Sequence, residues 1–60
     1  MSFKAVQNEV DQLHGVSSRL EELAGQLPAV SKELIAISRS LRNTAVLLTV
    51  LVAVRNPEPI

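Results

Sequence analysis

The residues of this chain that could do chemistry are one histidine, six carboxylates and a few serines. Asp11 and His14 are three residues apart, the spacing at which helical bundles pair a glutamate with a histidine on a metal, here with the shorter acid. The chain has only one such pair and no cysteine, and a lone histidine cannot complete a metal site. A general base also needs a cleft, whereas both residues are predicted on the solvent side of a helix. We therefore expect no catalytic residues, no metal and no cofactor.

Other kinds of binding site are also poorly supported by the composition. Two glycines are too few for a loop that cradles phosphate, and the single phenylalanine does not suit an aromatic-lined pocket or a platform for bases. Lys32, Arg39 and Arg42 share one side of a predicted helix, which we interpret as a solvated polar face. The sequence thus favours a protein that is not an enzyme, with no small-molecule substrate and no nucleic-acid partner.

The elements that would position any site are set by a seven-residue repeat of aliphatic residues. We call its first file the leucine row: Val6, Leu13, Leu20, Leu27, Leu34, Leu41 and Leu48. A second apolar row lies three residues after the leucine row and consists of Val16, Leu23, Val30, Ile37 and Leu51. Glu9 and Thr44 occupy the two other positions of this row and interrupt it. Spacings of three and four residues place both rows on one face of a helix, and the strict repeat predicts lengthwise packing of helix on helix.

A third row repeats with the same spacing and has small residues in its middle. This small-residue row consists of Phe3, Val10, Ser17, Ala24, Ser31, Ser38, Ala45 and Val52. Small side chains let helix backbones approach closely, and the row widens the buried stripe beyond a two-stranded seam. The pattern favours a bundle of four or more helices, although small residues at the border of the solvent are the plainer interpretation.

Pro28 is the strongest break in the helical pattern. Proline is tolerated in the first turn of a helix and disfavours helical geometry at Leu27 before it, while Gly25 suits the left-handed position after a helix end. We predict helix 3–24, turn 25–27, helix 28–54 and a tail at 55–60 within one domain, 1–60. The fold is all-α, an antiparallel hairpin, and the alternative is one long helix kinked at Pro28.

The halves of the chain differ in charge, and this difference supports the hairpin. Residues 1–30 carry two basic and four acidic side chains, whereas residues 31–60 carry four basic and two acidic ones. Opposite signs favour laying the first half antiparallel on the second. Glu9 and Thr44 would then lie at nearly the same level, where they form a polar layer that sets the register or lie in frayed ends.

The apolar segment, residues 44–54, is apolar on every side. Its eleven residues span roughly 16 Å as a helix, about half the thickness of the hydrocarbon core of a bilayer. Extension to a spanning length takes in Arg39 and Arg42, each of which costs about 2.5–3.5 kcal/mol at the membrane centre. We interpret the segment as the centre of an oligomer; contact with lipid and a buried β-strand are the alternatives.

A chain of sixty residues needs association to be stable, because a core this small rarely supplies more than about 3–5 kcal/mol. We predict a homo-oligomeric helical assembly or scaffold protein. The alternatives are a small membrane-associated oligomer (a pore, coat or anchor subunit) and a module that binds a different protein. A cytoplasmic location is favoured, with a membrane-associated one as the alternative. The predicted interface residues are Leu13, Leu20, Leu34, Ile37, Leu41, Leu48 and Leu51.

Overall fold

The computed structural model describes residues 3–55, and these form two antiparallel helices packed against each other. Helix α1 runs Phe3–Gln26, a 3-10 turn covers Pro28–Val30, and helix α2 runs Ser31–Arg55. The all-α hairpin predicted from the sequence is confirmed, and the continuous kinked helix is wrong. Helix α1 extends two residues further than predicted, and α2 includes Arg55. The rest of the predicted tail lies outside the described residues.

The turn is made by a single residue with non-helical backbone, Leu27. Its φ of −124° and ψ of 76° lie outside the helical region, as expected for a residue before proline. Its N–H still donates to the carbonyl oxygen of Leu23 at 2.9 Å, and its own carbonyl accepts from the N–H of Val30 at 3.1 Å. The main-chain groups around Pro28 are thus largely satisfied, although proline provides no N–H of its own.

Neither glycine breaks a helix. Gly25 was expected in the left-handed region, and this expectation is wrong: no glycine in the described chain has a positive φ, and α1 continues through Gly25 to Gln26. Gly15 likewise lies within an uninterrupted α1. The direction of the chain is therefore reversed by the proline and the residue before it, without help from the conformational freedom of glycine.

The small-residue row forms the seam between the two helices, as its close-packing interpretation predicts. The buried residues of the hairpin all belong to this row: Ser17, Ala24, Ser38, Ala45 and Val52. Ser17, Ser38 and Ala45 are 0% exposed. Because these side chains are short, the main chains of α1 and α2 can lie close together.

Hydrogen bonds across the seam fix the register. The hydroxyl of Ser17 donates to the carbonyl oxygen of Ser38 at 3.0 Å, and the hydroxyl of Ser38 lies 3.1 Å from the carbonyl oxygen of Ser17. Ser17 is therefore opposite Ser38. Counting outward by one heptad in each helix places Val10 opposite Ala45. The N-terminal part of α1 consequently lies alongside the apolar segment of α2.

Candidate assembly surface

The seam divides the surface of the hairpin into two faces of different character. In a helix, residues three and four positions after a given residue lie on opposite flanks of it. Glu21 and Arg42 each follow a seam serine by four positions, and they contact each other across the helices. Leu20 and Leu41 each follow a seam serine by three positions. The flanks that carry these two leucines must therefore meet on the other side of the seam.

The first side, the polar face, is joined by hydrogen bonds between side chains. Arg42 donates to the two carboxylate oxygens of Glu21, from Nε at 3.1 Å and from Nη2 at 3.2 Å. The hydroxyl of Ser38 lies 2.6 Å from Oε2 of Glu21, so its one proton serves either this carboxylate or the main chain of Ser17. These bonds from Arg42 and Ser38 hold the pKa of Glu21 below its ordinary value.

The opposite side, which we call the leucine face, carries the leucine row and the second apolar row of both helices. The second apolar row immediately precedes the small-residue row in sequence, and this places it on the same flank as the leucine row. Five of the predicted interface residues are half-buried: Leu13, Leu20, Leu34, Leu41 and Leu48. The other two remain open to solvent, Ile37 being 50% and Leu51 49% exposed.

The hairpin thus buries its leucines only in part. Leucine and isoleucine are the largest aliphatic side chains of the sequence, yet the largest fully buried side chains are those of Ser17 and Ser38. A leucine that is fully buried contributes about 1.5–3 kcal/mol. The five half-buried leucines of this face gain part of this stabilisation within the hairpin, so a surface that covers the leucine face would add mainly the burial of more exposed residues such as Ile37 and Leu51.

The open end of the hairpin exposes further apolar surface on α2. Five of the seven large side chains of the apolar segment are between 49% and 71% exposed: Val46, Leu47, Val50, Leu51 and Val54. The stretch Pro28–Arg55 is long and apolar enough to cross a membrane, judged by length and composition alone, with a mean hydropathy of 1.4 in its best window. By the register of the seam, α1 brings Lys4, Glu9 and Asp11 to the same level as this segment.

The two interruptions of the second apolar row do not join each other within the hairpin. Glu9 and Thr44 are both exposed on the leucine face. The hydroxyl of Thr44 donates to the carbonyl oxygen of Ser40 at 3.0 Å, within its own helix. The polar layer considered from the sequence is therefore not formed inside one chain.

The residues considered for chemistry are not brought together. Asp11 is exposed and His14 half-buried beside the seam. Within residues 3–55 no group of three or more histidines and carboxylates is close enough to hold a metal ion. A groove of about 310 Å³ at the open end includes Asp11 and Lys4 but not His14, and its other lining residues are Phe3, Val6, Gln7, Asn8, Val10, Thr49 and Val52.

Sequence reasoning missed the residues that hold the polar face together. Arg42 was interpreted as part of a solvated polar face, and Glu21 was not singled out as its partner. The signal is present in the spacing: each follows a serine of the small-residue row by four positions. Two such residues of opposite charge, on helices of known register, predict an ion pair across the seam.

Comparison with known proteins adds no further constraint on this surface. No family model matches the chain, and neither the curated proteins nor the solved structures gave a match.

Proposed function

We propose that this chain is a non-enzymatic assembly protein whose hairpins associate with further copies through the leucine face, so that the oligomeric bundle is the working unit. The observation that carries the proposal is the division of side chains just described: serine, alanine and one valine fill the seam, while Leu23, Ile37 and Leu51 on the leucine face remain 42%, 50% and 49% exposed. Two files of aliphatic residues along a face more than twenty residues long are typical of a surface that packs on another helical surface.

The absence of alternative reinforcement supports the same proposal. The chain contains no cysteine, so disulfides cannot stabilise it. The seam buries few apolar groups, and small domains of this kind are commonly stabilised by oligomerisation. Association through the leucine face would complete the burial of residues such as Leu41 and Ile37.

Membrane association is the second candidate function, favoured by the length and hydropathy of α2. In this version the apolar segment contacts lipid and the chain is a subunit of a membrane-associated oligomer. The register of the seam weighs against inserting the closed hairpin, because Lys4, Glu9 and Asp11 would enter the bilayer with the apolar segment. A charged side chain near the bilayer centre costs at least about 2.5–3.5 kcal/mol.

Solution mass with and without detergent tests these functions. We expect a particle of one defined mass, at least twice that of the chain, in plain buffer without detergent. A particle that forms only in detergent would favour the membrane function. A folded monomer under both conditions would contradict self-assembly, and an aggregate or an unfolded monomer would favour a module completed by a different protein.

Leu41→Asp is the substitution that tests the leucine face itself. A carboxylate at this half-buried position should dissociate or unfold the particle, since it would be desolvated among leucines. Ile37→Asp separates the two effects: Ile37 is 50% exposed in the hairpin, so the mass should fall, and any loss of helicity by circular dichroism should not exceed that of the unsubstituted chain diluted to the same mass. Glu22→Ala, at an exposed position off this face, is the control and should leave the mass unchanged.

A further inference from the structure

We infer that two copies of the hairpin pair through their leucine faces with both turns at the same end, so that α1 of each copy lies on α2 of the other. This inference rests on the proposed function and specifies its partner and orientation. The other arrangement that covers the same face places the turns at opposite ends, with each helix lying on its own counterpart. The two arrangements bring different residues together, and the structure distinguishes between them.

The interruptions of the second apolar row favour turns at the same end. Glu9 and Thr44 lie at nearly the same level of the hairpin but on different helices. When α1 lies on α2 of the other copy, Glu9 of one copy reaches Thr44 of the other. The hydroxyl of Thr44, which donates to Ser40 in the single hairpin, is then available to the carboxylate. Both polar pairs would lie at the open end, one on each side of the two-fold axis.

The apolar members of the same row match in the same way. At the levels set by the seam, Val16 of one copy lies near Ile37 of the other, and Leu23 near Val30. With turns at opposite ends, Glu9 would instead lie at the level of Leu20 in the α1 helix of the other copy. A carboxylate pressed against leucine without a donor is strongly disfavoured.

Charge gives an independent argument for the same orientation. Helix α1 carries two basic and four acidic residues, and α2 carries four basic and one acidic. Turns at the same end set α1 against α2, whereas turns at opposite ends set each helix against one of like charge. At the outer edge of the leucine face, Arg19 of one copy comes within about one helical turn of Glu33 of the other. Exposed pairs of this kind guide orientation more than they add affinity.

Distances between spin labels in the assembled full-length chain test the orientation. The chain has no cysteine, so Gly25→Cys labels the turn and Lys4→Cys labels the open end. A side chain at position 25 meets nothing within 4 Å, and both positions lie on the flank away from the leucine face. Turns at the same end predict roughly 20–30 Å between copies for each label, from helix spacings of about 8–10 Å plus the labels.

Turns at opposite ends would displace the two labels by roughly 30 Å along the helix axis, at right angles to their lateral separation, and so give distances of about 36–42 Å. This result would overturn the inference while leaving self-assembly intact. A labelled chain with no intermolecular distance and the mass of a monomer would overturn both. In a larger particle the same two distances apply, because each pair still has its turns together. Mixing the labelled chain with an excess of unlabelled chain should remove the distance signal, and this loss shows that the distance is between copies.

A charge exchange provides a second test in the same assembly. Arg19→Glu and Glu33→Arg should each weaken association by about 1.5- to 5-fold, as expected for exposed ion pairs. The double variant should recover the original affinity if these residues meet across copies. Equal weakening in the double variant would contradict the arrangement. Both effects should shrink at high salt, because exposed charges are screened.

Discussion

The middle of the hairpin, around Ser17 and Ser38, and its open end, around Ala45 and Val52, differ in how their side chains are paired or covered. In the middle, Ser17 and Ser38 bond to each other's main chain, and Arg42 joins Glu21 over the top of them. At the open end, Ala45 and Val52 are buried in the seam, but five large side chains of the apolar segment around them are between 49% and 71% exposed. The polar groups of the middle are paired within one chain, whereas most of the large apolar side chains of the open end are left uncovered.

This difference shows that one short chain can separate the interactions that define its fold from those that could serve its association. The hydrogen bonds of the middle are directional and set the register of the helices. The hydrophobic effect at the open end is not directional, so any apolar surface that covers this region lowers the free energy. A substitution should therefore affect either the hairpin or the assembly, depending on which region carries it.

The largest effect is expected at the open end. Leu47→Asp should weaken association by about 10- to 100-fold, corresponding to the 1.5–3 kcal/mol gained by burying a leucine. Ser40→Asp, seven residues earlier on the same row and also exposed, is the matched control and should change association little. Sedimentation over a range of concentrations measures both. If the two aspartates act alike, the open end is not part of the assembly surface.

A smaller effect is expected in the middle, and on a different quantity. Ser38→Ala removes the donor to the main chain of Ser17 and should lower the free energy of unfolding by about 1 kcal/mol. Ser40→Ala, at an exposed position, should change it by less than about 0.5 kcal/mol. Urea unfolding followed by circular dichroism compares the two. Equal stabilities would mean that the serine pair does not hold the register.

The smallest effect is a dependence of stability on pH. The bonds from Arg42 and Ser38 lower the pKa of Glu21 in the folded chain, so the stabilisation is complete above the pKa of the unfolded state. It is lost as the pH falls through the lower pKa of the folded state. The free energy of unfolding of Glu21→Gln, measured as a function of pH, should not show this loss of stability at acidic pH, whereas that of Glu22→Gln should show it. An unchanged acid profile in Glu21→Gln would contradict the assignment.

The sequence predicted the hairpin because the proline breaks the helix locally and the opposite charges of the two halves favour the same antiparallel arrangement. It also identified the three rows, since spacing alone defines them. It could not decide which row closes the hairpin, because the leucine row and the small-residue row have the same period. That choice depends on how closely the two main chains approach, which the contact between Ser17 and Ser38 determines.

The candidate site was predicted in part for the same reason. Leu41 and its neighbours were identified as surfaces for packing, but the division between a half-buried leucine row and more open positions such as Ile37 requires the register. The left-handed Gly25 was wrong because Pro28 alone displaces the backbone of Leu27 from helical geometry. Glycine would be needed only if the reversal required a positive φ.

The non-helical backbone of Leu27 alone determines that α1 packs on α2 of the same chain. Leu27 is the only residue between Phe3 and Arg55 whose backbone is not helical, and all three rows pass it without losing their period. If the φ and ψ of Leu27 became helical, α1 and α2 would join into one long helix. Two such helices, packed antiparallel, would form every layer of the seam between two chains, whereas the hairpin forms them within one chain. The packing of this molecule is therefore almost independent of which polypeptide supplies each helix.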